Sequence, residues 1–289
     1  MNKYYSNLVY TCFLAPAMIL FMVFCVIPVI IMIPISAQDH NGIISLGWVG
    51  LKNLLTVFSD GDFWNCIVNV LKVFIVNVIF LVYSWIMAFR LSHEEGWLNR
   101  LFRFAAMFPM VLSVTAVGKY GTSLFGLNGL INDGIEALGY ERISFLSTKK
   151  YTMWVVGIVS AWWGFGSGIV GRYAAIKRIP NDLVEAAYLD GASEWQMDFH
   201  IRFPLMSSHH SLTIIATVSS ALMTYALTSI MASGLAGNSN FDTPVSYIVN
   251  KVSAAQYGSA AAYSLIFFII CVGISMLVQK FCDFETYTY

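Results

Sequence analysis

The sequence predicts an all-α membrane protein, and two observations support that fold class. Of the 289 residues, 58% are hydrophobic and 11% are charged, whereas soluble domains carry about 25% charged residues. Several stretches without charge also reach the roughly 20 apolar residues that a helix needs to cross a bilayer. Most of the surface must therefore face lipid. The zero net charge argues against a nucleic-acid partner.

Apolar windows predict about six transmembrane helices in one membrane domain over residues 1–289. The predicted spans are 8–35, 67–89, 104–125, 151–171, 207–234 and 252–279. The first lies within residues 1–36, and its length and three prolines argue against a cleaved signal peptide. Short amphipathic helices are expected in two connecting loops, at 51–58 and 130–138.

The distribution of lysine and arginine predicts the orientation, because cytosolic loops are enriched in both. One side collects nine of them: Lys3, Arg90, Arg100, Arg103, Arg172, Lys177, Arg178, Arg202 and Lys280. The other side collects five: Lys52, Arg142, Lys149, Lys150 and Lys251. We therefore expect both termini in the cytosol.

No motif for catalysis or metal binding is visible. The five cysteines form no C-x-x-C pair, and the zinc-protease and serine-hydrolase motifs are absent. The adjacent histidines His209 and His210 point to different helix faces, so they are expected at the membrane interface rather than on a shared metal. We expect no cofactor on this chain and no enzymatic activity.

The polar stretch at 180–204 carries the most specific pattern. Pro180 restricts the residue before it, Asn181 or Asp182 can cap a helix, and Gly191 can end it. A second short helix is expected at 193–201, closed by Pro204. One interpretation is an interfacial hairpin anchored in lipid headgroups. The other is a rigid docking element for a partner protein, which is favoured by small alanines and an acidic residue that suit lipid poorly.

The motif resembles the EAA loop of binding-protein-dependent ABC importer permeases, carbohydrate branch. The matching residues are Glu185, Ala186, Ala187, Asp190, Gly191, Ala192, Ile201 and Pro204. Further similarities run through the chain: Trp48-Val49-Gly50-Leu51-x-Asn53 in an outer loop, Phe63, Trp64, Cys66 and Asn69 at the second span, Phe108-Pro109 in the third, and Ser160-x-Trp162 in the fourth.

The resemblance implies a permease subunit in a bacterial or archaeal plasma membrane, with a five-helix core at 65–281. The loop at 180–204 would be a coupling helix, and Glu185 would pair with a basic residue of a cytosolic ABC ATPase dimer that carries ATP and Mg. It further implies a second, paralogous permease and an extracellular solute-binding protein that delivers a carbohydrate or related polar solute. The outer loop 233–240 departs from the family pattern by lacking its proline, which leaves the ligand open.

Candidate residues for the solute path lie in three predicted spans. Aromatic faces and hydroxyls suit a sugar, and the candidates are Lys119, Trp162, Trp163, Ser220, Thr224, Tyr225 and Thr228. Helix packing is the alternative role for the small and hydroxylated residues. Lys72 and Lys119 could also reach the interface with their stems in the membrane. The rival function, an ion-coupled carrier, needs midplane polar groups, yet all sixteen acidic residues lie outside the predicted spans.

Overall fold

The computed structural model describes residues 3–93, 96–233 and 239–281, with side chains described from Cys12 onward except at 208 and 281. Most of the loop 233–240 and the cysteine at 282 therefore lie outside the described residues. Within them the fold is helical, apart from one antiparallel hairpin of β1 (Gln38–His40) and β2 (Ser45–Trp48), in which Gln38 pairs with Trp48. This hairpin was not predicted from the sequence.

The helices of the described residues are numbered in chain order. They are α1 (Lys3–Phe21), α2 (Ile27–Ser36), α3 (Lys52–Ser59), α4 (Gly61–His93), α5 (Trp97–Val111), α6 (Val114–Phe125), α7 (Leu130–Ala137), α8 (Thr152–Ile176), α9 (Asn181–Leu189), α10 (Glu194–Gln196), α11 (Phe203–Leu205), α12 (Ser207–Leu222), α13 (Tyr225–Ala232), α14 (Pro244–Ser253) and α15 (Tyr257–Phe281). Two π-helical turns, Met22–Val26 and Met197–Arg202, and a 3₁₀ turn, Ser239–Phe241, complete the order.

Five helices of the described chain are long and apolar enough to cross a membrane, and six spans result if one bent pair counts as a span. The five are Cys12–Ser36, Gly61–His93, Thr152–Ile176, His209–Ala232 and Tyr257–Lys280. The bent pair is Trp97–Val111 with Val114–Ala137. This confirms the predicted all-α membrane class with about six helices.

The third predicted span, at 104–125, is not one continuous helix. It breaks after Val111, and the two pieces of the bent pair meet at 99°. Ser113 starts the second piece, because its hydroxyl accepts a hydrogen bond from the amide of Ala116 at 3.2 Å. A short polar side chain at this position satisfies a free first-turn amide and so favours a new helix start.

The second predicted span, at 67–89, is too short at both ends. The observed helix α4 covers Gly61–His93, so the acidic Asp62 lies in its first turn. An apolar window marks only the part of a helix that must avoid water, whereas the helix itself continues into polar surroundings. The short helices at 51–58 and 130–138 match α3 and α7 to within one residue at each end.

The chain divides into two compact units, Met1–Trp64 with Tyr247–Ile270, and Asn65–Ser246 with Cys271–Tyr289. In the first unit, the Asp60 carboxylate accepts hydrogen bonds from the hydroxyls of Tyr247, at 2.6 Å, and Tyr263. Burial alone would raise the pKa of Asp60, but these hydrogen bonds and two backbone amides outweigh it and hold the pKa below its ordinary value.

The second unit holds most of the membrane helices and both candidate sites. Helix α5 packs along α8, and α6 packs along α13 and α8. The Asn69 amide, which is buried, donates to the backbone carbonyl of Asp242 at 3.0 Å. This bond ties the start of α4 to the turn ahead of α14, which explains one polar residue of the motif at the second span.

Candidate functional sites

The stretch 180–204, which we call the coupling segment, contains two helical pieces. The first, α9, begins at Asn181 and ends at Leu189. Pro180 occupies the capping position with ψ at 134°, and no side chain caps the helix. The predicted cap by Asn181 or Asp182 is therefore wrong, because both residues already lie inside the helix. The fixed φ of Pro180 sets the direction in which the chain enters it.

Gly191 forms the turn between the two pieces, as predicted. Its φ is +77°, a left-handed conformation that is strained for any residue with a Cβ. The amide of Ala192 donates to the carbonyl of Ala187 at 3.0 Å, and the amide of Gly191 donates to that of Tyr188 at 3.1 Å. This pair of bonds is the Schellman arrangement that satisfies the last carbonyls of a helix, so the angle of the turn is fixed locally.

The second piece is longer than predicted. Ser193 starts it with a capping box, in which its hydroxyl accepts from the Gln196 amide and the Gln196 side chain accepts from the Ser193 amide. Helical winding then continues through α10, the π-helical turn Met197–Arg202 and α11. Pro204 therefore lies inside the helix and does not close it. A proline ring would collide with the carbonyl four residues earlier in α winding, and the wider π turn ahead of it relieves that collision.

Five of the eight motif residues line one exposed depression in the coupling segment. Ala186, Ala187, Asp190, Ile201 and Pro204 line this depression, which has a volume of about 430 Å³. Three other motif residues, Glu185, Gly191 and Ala192, lie outside its wall, and Glu185 is exposed. The two pieces therefore form a small concave surface whose wall includes the acidic residue Asp190.

A buried charge cluster between the coupling segment and α4 was not predicted from the sequence. The Arg202 guanidinium donates to the Asp198 carboxylate at 2.8 Å, and the His93 Nε2 lies 2.7 Å from the other carboxylate oxygen. All three side chains are less than 10% exposed. Asp198 and Arg202 are four residues apart on one helix face, and this spacing was the available signal. The cluster joins the end of α4 to the segment.

Aromatic rings also pack the coupling segment against the membrane helices. The ring of His210 lies 4.3 Å from that of Trp85 and 4.0 Å from that of Phe203, measured between centroids. Its Nε2 is 2.7 Å from the Phe203 carbonyl oxygen. His210 is 3% exposed and packs between helices, and the two histidines are the first residues of the apolar helical stretch His209–Ala232. Their position at the membrane interface stays a prediction.

A cavity of about 600 Å³ opens among α4, α6, α8, α12 and α13. Of the predicted path residues, it brings together Trp163, Ser220 and Thr224. The other four predicted residues do not line the cavity: Trp162, Tyr225, Thr228 and Lys119. Thr228 is 1% exposed. Lys119 donates a hydrogen bond to the Ser233 hydroxyl at 3.1 Å. Lys72 donates to the Asn69 side chain at 3.2 Å, also outside the wall.

The cavity wall offers many acceptors and few donors. Hydroxyl groups on three helices donate to backbone carbonyls of their own helix, as at Ser84, Ser167, Thr217 and Ser220. Each of these oxygens keeps lone pairs that can accept from a ligand. Among the described residues, the buried Trp163 Nε1 donor and the Asn77 Oδ1 acceptor have no hydrogen-bond partner. Such a wall suits a ligand that carries several hydroxyl groups.

A helical membrane chain with a cavity among its helices and an exposed helical hairpin is typical of a membrane transport subunit. Residues 81–281, most of the chain, match the sequence profile of the binding-protein-dependent transport system inner membrane component. The chain belongs to this family. It is a multi-pass permease subunit of such a transport system. The family consists of transport components, which confirms the prediction that the chain is not itself an enzyme.

Individual relatives cover nearly the whole chain. The probable starch degradation products transport system permease protein AmyD of Thermoanaerobacterium thermosulfurigenes is 28% identical over 95% of this chain and 94% of its own length. The lactose transport system permease protein LacF of Rhizobium radiobacter is 25% identical over 89% of each chain. The substrates in these names are those of the relatives.

The fold is also similar to that of a solved transporter chain. The crystal structure of a bacterial ABC transporter involved in the import of the acidic polysaccharide alginate contains a chain with a TM-score of 0.81. The match covers 99% of this chain and 100% of that chain at 18% identity. At this identity the likeness establishes the fold alone.

Proposed function

We propose that this chain forms half of the translocation path of an ATP-driven importer for a sugar or a related polyhydroxylated solute. A second, paralogous permease completes the path, an extracellular binding protein delivers the solute, and a cytosolic ATPase dimer binds ATP and Mg. The observation that carries the proposal is the coupling segment, in which five of the eight motif residues line one exposed depression and Asp198 and Arg202 form a buried ion pair. Both termini lie in the cytosol in this proposal.

The solute class is supported by the cavity wall and by the relatives. Hydroxyl oxygens with free lone pairs accept from sugar hydroxyls, and the Trp163 ring offers both a flat apolar face and an N–H donor. The two relatives are named as permeases of transport systems for starch degradation products and for lactose. Trp163, Ser220 and Thr224 are the residues that we assign to the path.

The coupling role is tested by reversing the charge at Glu185. Glu185→Arg is expected to weaken co-purification with the ATPase or to uncouple ATP hydrolysis from uptake, because the exposed carboxylate of Glu185 would meet a basic residue on the ATPase. Glu141→Arg is the control, since Glu141 is equally exposed and lies outside the coupling segment. Normal assembly and transport in Glu185→Arg would contradict the proposal.

The orientation is tested separately by labelling. Single cysteines at 185 and 141, in a background without the native cysteines, are treated with a membrane-impermeant maleimide on intact cells. The cysteine at 141 is expected to react and the one at 185 to react only after permeabilisation. The reverse pattern would place the coupling segment outside.

A further inference from the structure

Arg172 is a buried cation in the wall of the cavity. It lies near the end of α8 and is 2% exposed. Its Nε has no hydrogen-bond partner in the part of the chain that the structure describes. A buried charge without a partner is costly, because the protein interior replaces the water that would solvate it.

The guanidinium group points back along the membrane helix. It lies directly over Gly168, one turn earlier in α8, and a Cβ at that position would collide with Nη1. Arginines near the end of a membrane helix usually extend their charge to the interface. Here the side chain follows the opposite direction, into the cavity, and the missing side chain at Gly168 provides the space.

No carboxylate neutralises this charge within residues 3–93, 96–233 and 239–281. The titratable groups that interact with it electrostatically, His209 and His210, are basic, and Arg178 acts on His209 as well. Asp198, which is buried in the same unit, is already bound to His93 and Arg202. The Trp85 ring lies 5.2 Å from the guanidinium carbon, which stabilises a cation without cancelling its charge.

We propose that Arg172 binds an anionic group of the transported solute, such as a carboxylate, sulfonate or phosphate, so that the solute is an acidic sugar. This inference rests on the proposed function. A lipid headgroup shares the chemistry, but its acyl chains would not use the unpartnered Asn77 and Trp163 groups or the hydroxyl oxygens of the same wall. A sugar with an acidic substituent uses all of them together.

The experiment compares galacturonate with its methyl ester, in which a neutral ester that carries one additional methyl group replaces the carboxylate. Each is titrated against the purified complex of this chain with its second permease and ATPase, in phosphatidylcholine nanodiscs, by ligand-observed NMR. The wild type is expected to bind galacturonate about ten- to a hundredfold more tightly than the ester, which is the range for hydrogen bonds to charged groups.

Variants at Arg172 separate its charge from the rest of the cavity. Arg172→Gln is expected to bring the ratio of the two affinities close to one, and Arg172→Lys to keep part of the preference. Arg103→Gln is the matched control, because Arg103 stacks on Tyr173 at 4.0 Å and does not line the cavity. Equal or undetectable binding of both probes to the wild type overturns the inference, as does a preference that survives in Arg172→Gln.

Two further arms identify other occupants of the site. If phosphatidylglycerol binds in an Arg172-dependent manner while galacturonate shows no preference, the anion is a lipid and the inference fails. If Arg172→Gln loses the second permease during purification while the wild type shows no preference, the anion is an acid of that subunit, and the inference fails again. ATP hydrolysis stimulated by the binding protein is measured in parallel, since its absence in the wild type would refute the proposed function itself.

Discussion

The coupling segment is built from one continuous stretch of 25 residues, 180–204, whereas the wall of the cavity comes from five helices distributed between residues 61 and 232. In the coupling segment the turn is closed by hydrogen bonds between residues three to five positions apart, as at Gly191 and Ser193. In the cavity the important neighbours, such as Asn77, Trp163 and Ser220, meet only through helix packing.

The two regions also treat buried charge differently. Under the coupling segment, Asp198 has two partners, Arg202 and His93, so that charge is balanced within the protein. In the cavity, Arg172 has no acidic partner in the described chain. A balanced cluster suits a part that must stay rigid during transport. A buried cation without an acidic partner suits a site that binds an anionic ligand.

The largest expected effect comes from removing the balanced acid. Asp198→Ala leaves the buried Arg202 without a carboxylate partner and should destabilise the packing of the segment against α4 by about 3–5 kcal/mol. The rate of amide hydrogen exchange in residues 194–205, measured by mass spectrometry, should rise strongly. Glu194→Ala is the control, because Glu194 is 3.9 Å from His93 and its side chain is 59% exposed, where a pair contributes about 0–1 kcal/mol. Similar exchange in both variants would show that the cluster does not hold the segment.

A smaller effect is expected at the turn of the coupling segment. Gly191→Ala places a Cβ at φ +77°, which costs about 1–2 kcal/mol. Gly139→Ala is the matched control, since Gly139 has φ +85° and a Cβ at either site meets nothing within 4 Å. Both variants should lose similar thermal stability, but only Gly191→Ala should lower ATP hydrolysis that is coupled to uptake. Equal transport in the two variants would show that the turn at Gly191 has no role in coupling.

The smallest expected effect lies in the cavity. Ser220→Ala removes one acceptor from the wall and should raise the KM for uptake by about two- to tenfold, the range for a single neutral hydrogen bond. Ser229→Ala is the control, because its hydroxyl also donates to its own helix, at 3.0 Å, and is exposed outside the cavity. A KM unchanged in both variants would remove Ser220 from the proposed path.

The sequence by itself determined the class of membrane fold, the family and most of the coupling segment. These features depend on local preferences, which neighbouring residues express in any tertiary structure. The examples are the apolar windows, Pro180, Gly191 and the motif at 185–204. Where local rules failed, as for Pro204 and the bent third span, a proline or a capping serine changed the winding over a few residues.

Only the tertiary structure decided which residues meet across helices. It separated Trp163 from Trp162 and Thr224 from Thr228, although these pairs look alike in sequence. It also brought His93 to Asp198 and turned Arg172 into the cavity. The physical reason is that a helical period places side chains on a face but does not state what that face contacts. Rotation and packing of whole helices supply that information.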